Sequence, residues 1–332
     1  ILGISYLFQT GVGVLGNTTM FLVYLSISVA QPQQKKHTDL ILTHLTVTNT
    51  VTLLTRGVPE MMVVFGMKNI LDDVGCKVIV YVRRVARDLS ICSTCLLSVF
   101  QAVTISPGTS WLSRFKPRAP HYILPSFFFF WLLNMLISIN IIESAKAVRN
   151  GSNTENTYIT KYCSTIPKSS DVTVTLTLTC MTFRDLVFVF LMSWASGYMV
   201  FVLHRHQGRV RHIHGTGRSP KSSTETRAIH TILLLVGCFV SFYCINGLIT
   251  LHLSFLKDHD TELQSVMNFL STCFPSLSPL VLICRDPRFP WPQCVLEMTS
   301  CFGPSVEHRD QRIATRTFSV SKFPQENVCL RA

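Results

Sequence analysis

Arg83, Arg84, Arg87 and Asp88 lie well inside a largely apolar helix pattern that runs from Cys76 to Pro107. At ~3.6 residues per helical turn, Arg84 and Asp88 share a face and can pair, and Tyr81 falls on the same side. With a rise of ~1.5 Å per residue, Arg84 lies ~12 Å and Asp88 ~18 Å below Cys76. If that helix crosses a bilayer, a lone charge near its centre costs at least ~2.5–3.5 kcal/mol. Such groups must face a protein interior and find partners there. The candidate partners are Glu60, just after Pro59, and the adjacent Arg184 and Asp185. Two readings stand side by side. Glu60, Tyr81, Arg84, Asp88, Arg184 and Asp185 line a ligand pocket with a polar floor, or the charges form a structural network that ties helices together.

The strip HRHQGRVRHIH at 204–214 carries His204, His206, His212 and His214 among arginines. A metal there would bind against strong like charge, and metal ligands must converge at fixed geometry. The strip reads instead as a basic helix end at anionic lipid. No HExxH, GxSxG, phosphate-binding loop or dinucleotide fingerprint occurs, so we expect no enzyme, cofactor or metal. Ser219-Pro220 and the Ser/Thr cluster at 222–224 suit phosphorylation or an ordinary loop, and Cys284 suits a palmitoyl chain at the inner membrane edge.

The elements that must position these residues follow from composition. Of 332 residues, 48% are hydrophobic and only 14% charged, against about 25% charged in ordinary soluble domains. The chain is therefore expected to be an integral membrane protein. Its net charge of +12 sits in loops between apolar runs, which points to membrane orientation and anionic lipid rather than nucleic acid. The apolar run from Ile1 has no preceding basic region and is too long for a cleaved signal core. The chain opens on Ile1 rather than Met, as a fragment or an incomplete gene model would.

Seven runs are long enough to cross a ~30 Å hydrocarbon layer, which takes ~20 residues. They lie at about 3–29, 39–65, 74–105, 122–142, 173–203, 226–253 and 263–284. Internal charge makes the third and fifth the weaker ones, and Pro275 and Pro279 give the seventh a kink or a hinge. The expected fold is an all-α bundle of seven transmembrane helices over residues 1–284. Residues 285–332 form a cytoplasmic tail, disordered or a gene-model artefact. The loops at 30–38, 106–121 and 204–224 hold ten Lys/Arg and no Asp/Glu, whereas those at 66–73, 143–172 and 254–262 hold six Lys/Arg and eight Asp/Glu. The positive-inside bias places the first set in the cytoplasm, the amino terminus outside and the carboxyl terminus inside.

In that topology only Cys76 and Cys163 of the twelve cysteines reach the outer surface. A disulfide between them would pin the second outer loop over the bundle; two free buried thiols are the alternative. Asn150-Gly151-Ser152 is a usable glycosylation acceptor in the same loop, while Asn17-Thr18-Thr19 sits inside the first span and should be inaccessible.

Several longer segments carry a resemblance. HTDLILTHLTVTN at 37–49, FGMKNILDDVGCK at 65–77, CSTCLLSVFQAVTISP at 92–107, KPRAPHYI at 116–123, WASGYMVFVLHRHQGRVRHIH at 194–214, SPKSSTETRA at 219–228 and CFPSLSPLVLI at 273–283 resemble the vomeronasal type-1 receptors. These are G-protein-coupled receptors for pheromones. Val99-Phe100-Gln101 stands where the large rhodopsin-like class has Asp-Arg-Tyr, HLTVTNTV lacks the sodium-site Asp, and Ser278-Pro279 replaces Asn-Pro. The resemblance implies a small pheromone-like, largely apolar ligand in the outer half of the bundle and a G protein of the inhibitory class. It implies G-protein-facing roles for Phe100, Gln101, Arg205, His206, Arg209, Arg211 and His212, and a plasma-membrane location. Without the Asp-Arg-Tyr ionic lock, packing and other polar contacts must hold the resting state. Asp88 departs from the family, where a small residue is expected, and so does the tail. The rival readings are a bitter-taste-type receptor, a non-signalling product of a decaying receptor gene and, lacking inverted repeats, less readily a transporter.

Overall fold

The charged stretch forms a single helix. Asp72 caps it by accepting a hydrogen bond from the Gly75 amide at 2.8 Å, which satisfies a donor that the first turn leaves free. The helix runs from Asp73 to Ile105 and gives way at Ser106, where the following proline disfavours helical backbone. The computed structural model describes residues 2–67, 70–140, 142, 145–147, 158–159, 162–165, 171–213, 220–256, 261–286 and 288. All fall in the first of two units, Ile1–Pro292; the second, Gln293–Ala332, lies outside the described residues.

Seven long helices are present among the described residues: α1 (Leu2–Ala30), α2 (His37–Val64), α3 (Asp73–Ile105), α4 (Ala119–Ile137), α5 (Asp171–Ile213), α6 (Pro220–Leu256) and α7 (Thr261–Arg285). Six contain a stretch long and apolar enough to cross a membrane. The exception is α2, not the third or fifth helix that internal charge had marked as weak. Both α3 and α5 pass because their charges cluster in a short segment, leaving an apolar stretch beside it. In α2 the polarity is spread along the helix as threonines, and the structure satisfies it locally. Thr43, Thr50, Thr52 and Thr55 each donate to the carbonyl four residues back at 2.7–2.8 Å. Side-chain hydroxyls bonded in this way leave little unpaired polarity at membrane depth.

The third helix is the axis of the bundle. Some 72% of its most apolar stretch is buried, against 17% for α4, so α3 is surrounded by protein while α4 turns mainly outward. The helices α2, α4, α5 and α6 all touch α3, and α1 and α7 close around α2. Glycine permits the closest approaches. A Cβ on Gly57 would collide with Thr10 of α1, and one on Gly13 would lie 2.7 Å from Leu53 Cδ1.

Helix α7 carries Pro275 and Pro279 internally. Proline lacks an amide hydrogen, so Pro279 leaves the Pro275 carbonyl without its helical donor. Asn17 of α1 supplies one, its Nδ2 lying 2.9 Å from that oxygen. Asn17 is 1% exposed, which keeps its sequon away from any modifying enzyme.

A small antiparallel sheet of order β1-β3-β2 covers one end of α3: β1 (Ala145–Ala147), β2 (Tyr158–Ile159) and β3 (Cys163–Thr165). Cys163 faces Ala147 in register and is disulfide-bonded to Cys76 in the first turn of α3, with the two Cα atoms 5.8 Å apart. Asp73 Oδ1 accepts from the Ala147 amide at 2.8 Å. Cys76, Val80, Ala145, Tyr162 and Cys163 bury one another beneath this cap. Strands of two or three residues are too short to show an alternating pattern, so an all-helix reading passes over them.

Candidate functional site

The charges of α3 meet those of α5 inside the bundle. Arg184 reaches Asp88 Oδ2 with Nη1 at 2.8 Å and Asp185 Oδ1 with Nη2 at 2.7 Å. It also donates to Asn134 Oδ1 of α4 at 2.6 Å. Asp88 is 1% exposed, and Arg184 and Asp185 are each 6% exposed. One guanidinium thus serves two carboxylates and an amide, the geometry its fixed fork allows. Arg84 lies 3.6 Å from Asp88, a looser contact than the four-residue spacing suggests. Its Nη2 rests instead 2.8 Å from Met181 Sδ. The departure at position 88 therefore has a physical complement in Arg184.

Glu60 and Tyr81 lie elsewhere. Glu60 accepts from Asn268 Nδ2 of α7 at 3.3 Å, and Arg56, one turn earlier on α2, donates to Asn268 Oδ1. Glu60 thus belongs to an α2–α7 cluster, not to Arg84 or Arg87. Tyr81 is half-buried and donates to the Met135 carbonyl of α4 at 3.3 Å. The six candidates therefore separate into one group of four around Arg184 and two residues in other helix interfaces.

A small cavity lies on the other side of α3, between α2, α3, α6 and α7. Arg87, Tyr243, Asn246, Phe239, Phe242 and Phe274 line it, with Thr52, Ser90 and Ser271 supplying hydroxyls. Its volume is about 40 Å³. One water needs roughly 10–15 Å³ on this measure, so the space suits a few waters. Phe239 packs edge-on against Phe274 with centroids 5.0 Å apart and stacks on Tyr243. The Tyr243 hydroxyl is 3.4 Å from Asp185 Oδ2, so the cavity wall touches the Arg184 network through one side chain.

From the cavity wall, Ser90 donates to Asn49 Oδ1 at 2.7 Å, and Asn49 donates to Ser278 Oγ of α7 at 2.9 Å. This chain of uncharged groups occupies the centre of α2, α3 and α7. At the end away from the disulfide, the Tyr198 hydroxyl of α5 lies 2.9 Å from Ser106 Oγ and 3.1 Å from Ser110 Oγ. Arg288 grips Asp39 of α2 through two bonds of 2.8 and 2.9 Å and Asp286 at 2.7 Å, and covers the Tyr24 ring. Burial alone would raise the Asp286 carboxyl, but hydrogen bonds from Arg288 and its charge hold it below the usual carboxylate range. Packing and polar contacts thus join the helix ends where an ionic lock is absent from the sequence.

Phe100 is buried in the main core, and Gln101 is half-buried beside it. Arg205 is exposed on α5, which continues to Ile213, about ten residues past the expected span. The side chains of His206, Arg209, Arg211 and His212, and Asn150 altogether, lie outside the described residues.

Some site residues left signals that could have been used. Arg56 and Glu60 are four apart on a helix, the same pairing pattern as Arg84 and Asp88. Asn134 is a single amide in the apolar run FFFFWLLNMLI, and an isolated polar group at membrane depth turns inward. Tyr243 and Asn246 left none, because α6 has no polar face to set them apart. The Arg288 clasp falls within the stretch expected to be tail.

Comparison with known proteins agrees with this architecture. The model of the vomeronasal organ pheromone receptor family matches residues 1–292. Olfactory receptor class A-like protein 1 of Danio rerio is 38% identical over 284 residues, spanning 85% of this chain and 88% of that protein. Vomeronasal type-1 receptor 3 of Homo sapiens is 38% identical over 291 residues, or 87% and 92%. Among solved structures, squid rhodopsin superposes with a TM-score of 0.66 at 16% identity, covering 93% of this chain and 87% of that one, a likeness of fold alone. With a seven-helix bundle of that fold, and relatives matched along almost their whole length, the chain belongs to the vomeronasal organ pheromone receptor family: it is a multi-pass plasma-membrane chemosensory receptor that couples to a G protein, and not an enzyme.

Proposed function

We propose that this receptor binds a small, largely apolar, pheromone-like molecule in the cavity between α3, α6 and α7 and activates a G protein of the inhibitory class. The observation that carries the ligand reading is the cavity itself. It sits in the bundle interior near the middle of α3, where three phenylalanines and one arginine line it. At about 40 Å³ it is far below the ~300–1,000 Å³ typical of small-molecule sites. The ligand must therefore select a more open arrangement of α6 and α7 against α3. That differential affinity is the driving force for activation; equal affinity for both states would shift nothing.

In this reading Arg84, Asp88, Arg184 and Asp185 form a polar wall that Tyr243 connects to the ligand. Glu60 and Tyr81 set the positions of α7 and α4 at the pocket's edge. The amino terminus is extracellular, Asn150 carries the glycan, and membrane lipid surrounds the bundle. Phe100, Gln101, Arg205, His206, Arg209, Arg211 and His212 serve the G-protein face; Phe100 does so by being uncovered when the helix ends part, since it is buried in the closed bundle. No nucleic acid or resident cofactor takes part.

The test is a screen of small volatile and apolar compounds in cells that report G-protein activation, with and without pertussis toxin. Responses that the toxin removes, and that Ser271→Trp abolishes at normal surface expression, are expected. Responses that persist in toxin overturn the inhibitory coupling, and responses that persist in Ser271→Trp overturn the cavity.

A further inference from the structure

The end of α7 is bound to the start of α2 by charge. Asp286 continues the bonding of α7, its amide donating to the Leu282 carbonyl at 2.9 Å. Arg288 reaches back to Asp286 with Nε at 3.0 Å and Nη2 at 2.7 Å, and its own amide donates to Asp286 Oδ1 at 3.1 Å. The same guanidinium forks onto Asp39, Nη1 to Oδ2 at 2.9 Å and Nη2 to Oδ1 at 2.8 Å. One face of it covers the Tyr24 ring of α1 at 5.4 Å. Three helices thus meet at one arginine, at the end of the bundle away from the disulfide, which the proposed orientation places in the cytoplasm.

Two features suit this contact to opening. It divides along one seam: when the helices part, Arg288 keeps Asp286, and Asp39 keeps the Lys36 amide, which it accepts at 2.9 Å. Only the two Arg288–Asp39 bonds and the Tyr24 contact are lost, and neither charge is stranded. It also lies at the edge of the protein, the Arg288 side chain being 16% exposed, so water reaches both halves as they separate. The Asp88–Arg184 pair differs on both counts. Its side chains are 0% and 6% exposed, and Asp88 would be left with Arg84 at 3.6 Å. Parting a pair in that setting leaves an uncompensated buried charge, whereas pairs open to water part at little cost. The inner network therefore holds helices together, and the outer clasp is the one built to release. Helix α7 has the means to release it: Pro275 and Pro279 each remove a helical hydrogen bond, so the segment beyond them can tilt as a unit that carries Asp286 and Arg288.

We infer that the Arg288–Asp39 contact is the latch of the resting receptor, and that G-protein engagement requires the end of α7, carrying Asp286 and Arg288, to part from α2. The task of an ionic lock on α3 falls to α7 because Val99, Phe100 and Gln101 near the end of α3 carry no charge. A weakened latch shifts the closed–open equilibrium toward the open state with no ligand present. The inference rests on G-protein coupling and not on where the ligand binds, so the ligand-free receptor reports on it.

The test is ligand-free nucleotide exchange by co-expressed heterotrimers of each Gα class, in cells that carry the full chain at matched surface density. Arg288→Gln and Asp39→Asn each remove one side of the seam, and the asparagine keeps an acceptor for the Lys36 amide. Each is expected to raise ligand-free exchange at least about fivefold, and the double variant no further than either single one, since both break the same contact. Arg288→Lys keeps the charge but loses the fork, and is expected to fall between wild type and Arg288→Gln. A variant that fails to reach the cell surface is read instead as purified receptor in detergent with added heterotrimer. Exchange at or below the wild-type level in either single variant overturns the inference, because a contact that only supports the fold loses activity when removed. A double variant whose rise is the product of the two single rises also overturns it. A rise confined to a G protein outside the inhibitory class keeps the latch and rejects only the proposed coupling.

Discussion

Replacing Arg184 by methionine probes the α3–α5 network most severely. The guanidinium supports Asp88 at 2.8 Å, Asp185 at 2.7 Å and Asn134 at 2.6 Å. After Arg184→Met, Asp88 keeps only Arg84 at 3.6 Å. Asp88 Oδ1 has no hydrogen-bond donor among the described residues, so its ion contact cannot be replaced locally. Removing one partner of a buried ion pair costs about 3–5 kcal/mol, whereas replacing both by apolar groups is often close to neutral. At roughly 2–4 °C per kcal/mol for a chain of this size class, the single variant should lose about 6–20 °C in Tm. The double variant Arg184→Met, Asp88→Leu should recover around half of that loss, because Asp185 still has Tyr243. The assay is thermal unfolding in detergent, followed by size exclusion of the remaining monomer. A loss below about 2 °C in the single variant, or a double variant no better than the single, would refute the claim that these charges depend on one another.

Three further outcomes follow from packing and caps. Gly57→Val should abolish surface expression, because the added side chain would meet Thr10 of α1, and overpacking of a tight helix crossing costs about 1–3 kcal/mol or more; normal expression would show that α1 and α2 can move apart. Asn17→Leu should lower stability by about 1–3 kcal/mol, because the Pro275 carbonyl loses its donor, and Pro279→Ala in the same chain should restore part of it. Arg288→Ala should leave Asp39 and Asp286 without the guanidinium they share. Since Asp286 has a depressed carboxyl pKa in the folded state, its contribution is present above the unfolded value and lost as the pH falls through the folded one. Wild type should therefore lose stability on acidification more steeply than Arg288→Ala, as read from Tm against pH.

The helix bundle was largely legible because membrane crossing imposes a length and a polarity that few other structures share. Five helices begin and end within a few residues of the expected spans, and α5 and α6 overrun them mainly at basic or polar ends, over 204–213 and 220–225. Partner choice was not legible. Asp88 and Glu60 are both acids in apolar helices, yet one meets Arg184 and the other Asn268. Spacing along one helix says which residues share a face, whereas the rotation of each helix against its neighbours decides which faces meet. Cysteine placement worked for the opposite reason: topology leaves Cys76 few partners, and its bond to Cys163 is present. Arg288 was hidden because its role depends on two carboxylates, one of them distant in sequence, and on the way the chain turns back to α2.

The claim that ties the account together is that ligand binding in the α3–α6–α7 cavity drives receptor activation. The most direct measurement is G-protein activation in cells expressing the receptor at matched surface density, comparing wild type with Phe239→Ala, Arg87→Gln and Ser271→Trp for any one activating compound. The account predicts that Ser271→Trp abolishes the response and that Phe239→Ala and Arg87→Gln shift it to at least tenfold higher concentration. A dose–response curve that none of the three moves would contradict it.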